Sequence, residues 1–541
     1  MIAPSGPDGA VTDVVPHEVP HEVPHDAAYD WLSTADGAVD VAAVAVEVRD
    51  VPVAGPRVRP AWRTAAAVAC AVVVLLLALA GRYGYNVDEL YFRLLGERGW
   101  AWGYTDQPPL VPALVHATTQ VLGDSVWAIR VPAALCAGAV VLLGTLIAAE
   151  LGGSRRAQTL AALGLGSSFL VLSVGHIMVT TTLDLLAWSA LLLCVVRALL
   201  RGQGRWWVWA GIVLGLALYA KYIVALLPVG LLVGLALVGP RKVFRDRWLY
   251  AGIALALVIG APNLIYQATH DFPQLQMADA LGATDGPMNR VIFVPSLVIL
   301  FGPVPTVVWA AGLVRLLRDP AWRPVRALAP AFGVAVALTI YGGGRPDYVG
   351  GFLIALFAAG AVAVDRWLGQ RRFRQVLLGG GLAASAVLQL LMALPVLPQN
   401  SPFTPLNNIS LESVGWPRLA DQVRTAYLAL PPEQRERAVV LADNLGESGA
   451  LDRYGHGLPP VYSGHNELHK WGPPPEWADV VVAVGVERPR LAADFRSCTV
   501  VGHLDNGVGV ENAEQGKPVT VCHGRRAPWA RLWPAYHYLS G

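Results

Sequence analysis

An acidic pair, Asp88-Glu89, lies in the long aromatic and amphipathic segment that follows the first apolar run, residues 84–110. The same segment contains Asp106 and Gln107, which are followed by two prolines. A carboxylate within about 3 Å of a hydroxyl group can take its proton and create a nucleophile. The pair therefore offers a general base. An equally open alternative is that it begins a solvated interfacial helix, because the helix dipole favours acidic residues in the first turn.

Isolated cations and other polar residues lie where further apolar runs end. They are Asp184, Lys221, His270, Asp271, Arg345 and Tyr348, with Tyr91 next to the acidic pair. Cations beside an acid are what transfer from a phosphate donor requires. The alternatives are that Lys221 and Arg345 extend to lipid headgroups and that His270 is an exposed loop residue. Arg130, near the outer end of an apolar run, either reaches the headgroups or pairs with an acid.

The composition indicates a membrane protein, in which surviving polar residues are informative. Of 541 residues, 54% are hydrophobic and only 15% are charged, and the mean hydropathy is +0.46. A soluble domain has about 25% charged residues. The net charge of +2 offers no basic face for nucleic acid.

Apolar runs of roughly 17–25 residues are long enough to span a bilayer as helices. The sequence predicts eleven such spans, at about 64–80, 127–149, 157–175, 177–196, 206–220, 222–239, 248–268, 291–314, 327–342, 349–364 and 375–397. With the N-terminus inside, each of the five inner loops contains two to four Arg or Lys residues, and the longer outer loops before residue 350 contain few. The positive-inside rule supports this orientation. An odd number of spans then places everything after residue 398 outside.

Three regions follow from this topology. Residues 1–60, with the repeat VPHEVPHEVPHD, are expected to form a disordered cytoplasmic tail, a metal-binding His tract being the alternative. Residues 61–398 form the membrane domain, with a long first outer loop at 81–126. Residues 399–541 alternate short apolar runs with helical stretches, which indicates an extracytoplasmic α/β domain. Cys498 and Cys522 both lie there, where the compartment permits a disulfide.

Five segments, in order along the chain, resemble those of the GT-C membrane glycosyltransferases related to protein O-mannosyltransferases and to the aminoarabinose transferases of lipid A. They are YNVDELYF, DQPPLVPALVH, WAIRVPAAL, GLALYAKYIVALLP and GRPDYVGGFLIAL, and together they cover about residues 80–365. Phrases in the tail, such as DNLGESGALDRYG, resemble those of an actinobacterial branch. One departure is Gln107, where many relatives have Lys before the two prolines.

The resemblance implies an inverting enzyme that moves a sugar from a polyprenyl-phosphate donor to an acceptor hydroxyl outside the cytoplasm. Asp88 would be the general base, and Glu89 would orient that carboxylate or bind the sugar. Lys221 and Arg345 would neutralise the departing phosphate. The other polar residues named above, Tyr91, Gln107, Asp184, His270, Asp271 and Tyr348, would contact substrate.

Other functions and partners stay open at this point. A lipid-linked sugar transporter or flippase also uses intramembrane charges, although no internal repeat is visible. A non-catalytic envelope scaffold is a further alternative. No cofactor or metal site is predicted, with a divalent cation on Asp88 and Glu89 as the alternative. The sequence identifies neither the sugar nor the acceptor.

Overall fold

The computed structural model describes residues 58–541, all within one compact unit, Pro52–Gly541. The expected disordered tail at 1–60 lies outside the described residues except for its last three positions. Up to residue 393 the described chain is helical. Its α-helices are α1 (Trp62–Leu79), α2 (Val87–Glu97), α3 (Leu110–Leu122), α4 (Val126–Glu150), α5 (Arg155–Gly166), α6 (Phe169–His176), α7 (Thr180–Arg201), α8 (Arg205–Ala217), α9 (Leu226–Val238), α10 (Arg247–Thr269), α11 (Pro273–Thr284), α12 (Gly286–Phe301), α13 (Pro303–Arg318), α14 (Leu328–Tyr341), α15 (Gly350–Leu368) and α16 (Arg372–Ala393).

Six helical segments between residues 58 and 541 are long and apolar enough to cross a membrane. They are α1, α4, α7, α10, α16 and Pro346–Leu368, which joins a short 3₁₀ turn to α15. Two bent pairs, α5 with α6 and α12 with α13, raise the number to as many as eight. Helices α3, α8, α14 and the segment Tyr222–Val238 are apolar but shorter. The chain is therefore a multi-pass membrane protein, as predicted, whereas the number of eleven spans is not confirmed.

The predicted span at 291–314 is not one straight helix. Helices α12 and α13 meet at 102° across Gly302, which has φ of +88°. Pro303 then occupies the first turn of α13, where its missing N–H is tolerated but the preceding helix cannot continue. The predicted span at 157–175 is also bent, by 51°, because Ser168 caps a new helix by accepting a hydrogen bond from Val171 N.

Small residues bring the membrane helices close together. Gly312 on α13 lies against the backbone of Leu356 on α15, and Gly360 on α15 lies against Val308 in return. Gly230 and Gly234 of α9 likewise lie against the backbone of Ala331 and Ala327, at the start of α14. In lipid, where the hydrophobic effect between helices is weak, such backbone proximity increases van der Waals attraction.

The C-terminal region forms the predicted α/β domain. Its helices are α17 (Asn408–Leu411), α18 (Trp416–Leu428), α19 (Pro432–Arg435), α20 (Leu445–Tyr454), α21 (Arg488–Asp494) and α22 (Trp529–Leu532), and its strands are β1 (Ala438–Ala442), β2 (Val461–Tyr462), β3 (Val480–Val484), β4 (Phe495–His503) and β5 (Pro518–Arg525). The strand order is β2-β1-β3-β5-β4, with β1 parallel to β2 and β3, and β5 antiparallel to β3 and β4. Strands β1 and β3 are buried along their whole length, which explains their unbroken apolar sequences. Cys498 on β4 and Cys522 on β5 face each other and form a disulfide.

The α/β domain packs directly on the first outer loop. Helix α20 lies against α2, where Gly449 touches the backbone of Leu90. Trp416 Nε1 donates a hydrogen bond to Tyr85 O at 3.0 Å. Arg93 on α2 forms an ion pair with Asp452 on α20 at 2.8 Å. The position of α2, which contains the acidic pair, therefore depends on both the membrane helices and the C-terminal domain.

We expect Gly449→Ala to weaken this packing. A Cβ at residue 449 would lie 2.8 Å from Leu90 Cβ and 2.9 Å from its backbone carbonyl. Overpacking of this kind costs about 1–3 kcal/mol, and the gain in helix propensity, about 1 kcal/mol, offsets only part of it. Thermal unfolding of the purified protein in detergent should therefore occur at a lower temperature. Gly502→Ala is the control, because a Cβ there has no neighbour within 4 Å; equal unfolding temperatures for both variants would contradict the close contact.

Candidate active site

The first turn of α2 places Asp88 and Glu89 in different surroundings. Asn86 is the N-cap, and its side-chain oxygen accepts a hydrogen bond from Asp88 N at 3.1 Å. Glu89 completes a capping box by accepting from Asn86 N at 2.8 Å. The box points the Glu89 carboxylate back into the protein, whereas Asp88 is only half-buried. Two neighbouring carboxylates thus have different surroundings.

Glu89 is fully buried and forms an ion pair with Arg130 of α4. Arg130 Nε donates to one carboxylate oxygen and Nη2 to the other, both at 2.8 Å. Met178 N donates a further hydrogen bond at 2.9 Å. Both oxygens of Glu89 are thus bound to protein donors. This favours the first of its two predicted roles, orientation of its neighbour, over direct contact with a sugar.

Arg130 connects this pair to the end of α1. The side chain is 1% exposed, and it donates to Ala80 O at 2.7 Å and to Gly84 O at 2.8 Å. Of the two alternatives for Arg130, pairing with an acid is the one in the structure. A single guanidinium thereby fixes the start of the loop, the first turn of α2 and the outer part of α4.

We expect Arg130→Met to reduce stability strongly, by about 3–5 kcal/mol, because it leaves the Glu89 charge buried and unpaired. The double variant Glu89→Leu/Arg130→Met should recover part of this loss, since a buried apolar pair requires no desolvation of charge. The thermal unfolding temperatures of the purified variants in detergent measure the stability of the single and the double variant. Arg290→Met is the control, because Arg290 is exposed. A double variant no more stable than Arg130→Met would show that the hydrogen bonds to Ala80 and Gly84 matter more than the ion pair.

Asp88 is the free member of the acidic pair. Within residues 58–541 its carboxylate has no hydrogen-bond or ion-pair partner, and its electrostatic neighbours are Arg345, Lys221 and Glu89. Burial and the Glu89 carboxylate raise the pKa of Asp88 above its ordinary value, while the two cations partly oppose this rise. An unpartnered carboxylate near two cations is available to accept a proton from a bound hydroxyl group.

The two cations are positioned by residues of α7 and of the turn before α15. Lys221 Nζ donates to Thr181 Oγ1 at 2.8 Å and lies 4.7 Å from the centre of the Tyr348 ring. Arg345 Nε forms an ion pair with Asp347 Oδ1 at 3.0 Å. The Arg345 side chain is 63% exposed, so most of its guanidinium is accessible to another anion.

Asp184 lies on α7, about one turn after Thr181, the residue that Lys221 contacts. It is 4% exposed, and its Oδ1 has no hydrogen-bond partner in the described chain. Its electrostatic neighbours are Lys221 and Asp347. Asp88, Asp184, Lys221, Arg345 and Asp347 therefore form one charged cluster at a single end of the bundle.

Asp106 connects the first loop to the C-terminal domain. It accepts hydrogen bonds from Tyr91 Oη at 3.0 Å and from Asn466 Nδ2 at 3.3 Å. Burial raises the pKa of Asp106 to about 7, although the hydrogen bond from Tyr91 lowers it. Next to it, Glu467 accepts from Thr105 N and Oγ1 at 2.7 and 2.6 Å. Tyr91 thus contacts Asp106. Asn466 and Glu467 lie in the tail phrase SGHNELHKWGPP, which resembles an actinobacterial branch, but the sequence did not indicate that they contact the first outer loop.

Two of the predicted substrate residues lie apart from the charged cluster. His270 is exposed, stacks on Tyr266 at 4.1 Å and has a ring nitrogen 2.9 Å from Tyr266 O. Asp271 is exposed at a positive φ of 58°. Neither contacts Asp88, Lys221 or Arg345 in the described chain, and their role in substrate binding stays a prediction.

Some residues of the cluster were not among the predicted site residues. Thr181 lies three residues before Asp184, and Asp347 directly precedes Tyr348, so their polarity at an apolar boundary was an available signal. Between residues 58 and 541, no three His, Cys, Asp or Glu side chains are arranged to hold a metal ion. Glu89, one half of the alternative cation site, is already occupied by Arg130 and two backbone N–H groups.

Comparison with known proteins relates this chain to glycosyltransferases. Residues 106–266 match the family model described as dolichyl-phosphate-mannose-protein mannosyltransferase. The lipopolysaccharide core galacturonosyltransferase RgtA of Rhizobium johnstonii is 28% identical over 307 residues, which are 51% of this chain and 60% of that protein. The match thus spans less than two thirds of the length of that relative.

The fold has solved counterparts. The crystal structure of ArnT from Cupriavidus metallidurans bound to undecaprenyl phosphate is similar with a TM-score of 0.57 at 16% identity, over 86% of this chain and 98% of that one. The crystal structure of the same protein in the apo state gives the same TM-score and identity, over 85% of this chain and 98% of that one. Because the sequence identity is only 16%, the structural similarity shows that the two proteins share a fold. Together with the sequence matches, it confirms the predicted resemblance to the GT-C superfamily.

Proposed function

We propose that this chain, a multi-pass membrane protein with the GT-C fold, is an inverting glycosyltransferase that uses a polyprenyl-phosphate-linked sugar. The observation that carries the proposal is the Asp88 carboxylate, which has no partner in the described chain and lies near Lys221 and Arg345. The cluster lies at the end of the bundle opposite the cation-rich loops. By the positive-inside rule, that end and the C-terminal domain face outward, with the N-terminus in the cytoplasm.

The residues support a single displacement. Asp88 accepts the proton of an acceptor hydroxyl as its oxygen forms a bond to the anomeric carbon of the sugar. The bond from that carbon to the phosphate oxygen breaks, and the polyprenyl phosphate departs with the electron pair. Lys221 and Arg345 stabilise the negative charge that develops on this phosphate. Attack from the face opposite the leaving group inverts the anomeric configuration.

The choice of donor rests on two similarities. The ArnT structure has undecaprenyl phosphate bound, and the matching family model is described by its dolichyl-phosphate-mannose donor. Both donors are phosphates of long polyprenyl chains, which would enter a site at the end of a membrane bundle from the bilayer. Gln107 provides an amide where many relatives have a Lys, so the phosphate in this chain would depend more on Lys221 and Arg345. The acceptor hydroxyl belongs to a protein, a glycan, a lipid or a small molecule.

The alternative of a lipid-linked sugar transporter gains no support. The charged groups lie together at one end of the bundle, whereas transporters hold their substrate and coupling ions near the bilayer midplane. The matching family model and RgtA both have transferase descriptions. Transfer from a phosphate donor also requires a base and cations close together, which accounts for the proximity of Asp88 to Lys221 and Arg345.

Replacement of Asp88 by Asn tests the assignment of the base. We expect transfer to fall by about 10²–10⁴-fold, because the amide cannot accept the proton, while binding of undecaprenyl phosphate is retained. The measurements are transfer of sugar to membrane-fraction acceptors from a labelled polyprenyl-phosphate donor, and lipid binding by the purified protein. Asp285→Asn is the matched control, because Asp285 is exposed and its side chain caps no helix. Full transfer by Asp88→Asn would show that another group is the base.

The rate of transfer should decline as the pH falls. Since the base must be ionised and burial raises the pKa of Asp88, the acid limb should lie above the range of an ordinary aspartate. Arg345 lowers the pKa of Asp88, so Arg345→Met should raise it and move the acid limb to higher pH. Transfer rates measured against pH at saturating donor test this, with Arg290→Met as the control. An acid limb that shifts downward in Arg345→Met would contradict the proposed electrostatics.

A further inference from the structure

A recess of about 380 Å³ lies where helices α1 and α16 end. Its lining comes from three parts of the chain. Arg82 and Tyr83 follow α1, residues 398–400 follow α16, and Val508 belongs to the C-terminal domain. None of these residues is part of the charged cluster around Asp88. The recess is therefore separate from the candidate active site.

The lengths of the two helices place this recess at the edge of the bilayer. Helix α1 has 18 residues and α16 has 22, which at 1.5 Å per residue are about 27 and 33 Å long. The hydrocarbon core of a bilayer is about 30 Å thick. Arg82 Nη1 donates to Val396 O at 3.1 Å, and both residues lie three positions beyond the ends of their helices. The guanidinium of Arg82 therefore lies at the boundary between hydrocarbon and headgroups.

Arg82 is the only charged side chain that lines the recess in the described chain. The residue is exposed, and one of its nitrogens donates to Val396 O. A guanidinium has five N–H donors, so most of them are available to an anion. Arg at this depth suits the phosphate of a lipid, because phosphate accepts charge-assisted hydrogen bonds. The side chains of Gln399 and Asn400 add amide donors at the same recess.

Exposed apolar side chains adjoin the recess. Phe403 is 64% exposed, Leu406 is 45% exposed and Val508 is 40% exposed. Phe403 and Leu406 belong to the segment PFTPL, which is tied to the recess because Thr404 Oγ1 donates to Pro398 O at 2.9 Å. Apolar side chains at the headgroup level are stabilised by insertion among acyl chains. The recess thus combines a cation with an apolar border.

Tyr83 holds the two sides of the recess together. Its hydroxyl group donates to Leu397 O at 2.7 Å, and its ring packs against Leu411, Val414 and Val510. Its φ of +69° is a left-handed conformation that is uncommon for a residue other than glycine. These contacts hold that conformation, so the recess is a built feature of the junction between the membrane helices and the C-terminal domain.

We propose that this recess binds an anionic phospholipid of the outer leaflet, with its phosphate on Arg82 and its acyl chains alongside Phe403 and Val508. A phosphatidylglycerol headgroup has one negative charge, which one guanidinium neutralises. A choline or ethanolamine headgroup would add a cation, and within residues 58–541 no acidic side chain lines the recess to pair with it. The bound lipid attaches the C-terminal domain to the membrane surface at the ends of α1 and α16. Such binding goes beyond the proposed function and is independent of the transfer reaction.

Lipid binding to the full-length protein tests this site. Phosphatidylglycerol and phosphatidylcholine are titrated into the protein in detergent, and bound lipid is counted by native mass spectrometry. We expect the wild type to bind phosphatidylglycerol more tightly, and Arg82→Gln to weaken that binding by roughly tenfold, because a charge-assisted hydrogen bond is lost. Arg82→Lys, which keeps the charge, should retain most of the preference. Phe403→Ser should weaken the binding of both lipids by roughly threefold, because an apolar contact is lost.

Hydrogen–deuterium exchange of the same protein in nanodiscs locates the lipid. We expect the amides of residues 396–408 and 505–510 to exchange several times more slowly in phosphatidylglycerol than in phosphatidylcholine. Strand β4, which does not line the recess, should exchange equally in both. Arg82→Gln should remove the difference at both segments. Equal exchange at these segments in the wild type would overturn the site, even if phosphatidylglycerol binds elsewhere.

Two matched controls separate this site from general effects of charge and hydrophobicity. Arg290 is also exposed and donates to backbone carbonyls at the end of α14, so Arg290→Gln should leave lipid binding unchanged. Leu428→Ser is the control for Phe403→Ser, because Leu428 is 53% exposed at the end of α18. Equal losses in control and test variants would overturn the recess as the site. An Arg82→Lys variant as weak as Arg82→Gln would overturn the bound phosphate, because only the bond to Val396 would then matter.

Two competitors identify the source of the phosphate. Inorganic phosphate that reproduces the protection without lipid would overturn the phospholipid in favour of a free anion. Undecaprenyl phosphate that displaces phosphatidylglycerol from the wild type would assign the recess to the donor lipid instead. Retention of phosphatidylglycerol against both competitors supports a bound phospholipid, whether or not the protein transfers a sugar.

Discussion

The buried ion pair between Glu89 and Arg130 is the interaction on which the candidate site depends. It is desolvated on all sides, so its stability requires that every remaining hydrogen-bonding position be filled. Backbone groups at residues 80, 84, 86 and 178 fill these positions. Because these groups belong to the segment 80–86 and to residue 178, while Arg130 belongs to α4, the pair determines where the first outer loop leaves the membrane bundle. Asp88 is then directed away from the pair because it is the neighbouring residue in the same helical turn.

A second constraint comes from the C-terminal domain. Helix α20 packs against α2, Trp416 donates a hydrogen bond to Tyr85 just before α2, and Asn466 donates a hydrogen bond to Asp106 in the same loop. The loop is therefore packed between the membrane helices and the C-terminal domain. Such packing limits the freedom of a long loop and keeps the proposed base in a fixed position. This gives the C-terminal domain a physical role that its own sequence did not suggest.

The proposed base and the two cations are held differently. Asp88 has no hydrogen-bond or ion-pair partner in residues 58–541, whereas Lys221 donates to Thr181 and Arg345 pairs with Asp347. The exposed part of the Arg345 guanidinium can bind a further anion, and the Asp88 carboxylate can accept a proton. The groups proposed to gain or lose charge during transfer therefore lie together at one end of the bundle.

The sequence by itself determined the membrane class, the α/β character of the tail and the resemblance to GT-C proteins. Hydrophobicity, strand-length apolar runs and ordered motifs are local properties, so they can be read without contacts. It also singled out Asp88, Lys221 and Arg345 as candidate site residues, because charges at the ends of apolar runs are conspicuous. Only the tertiary structure decided that Glu89 is bound by Arg130, that the span at 291–314 is broken at Gly302, and that Asn466 meets Asp106. Those outcomes depend on which distant side chains and helices pack together, and spacing along the chain does not contain that information.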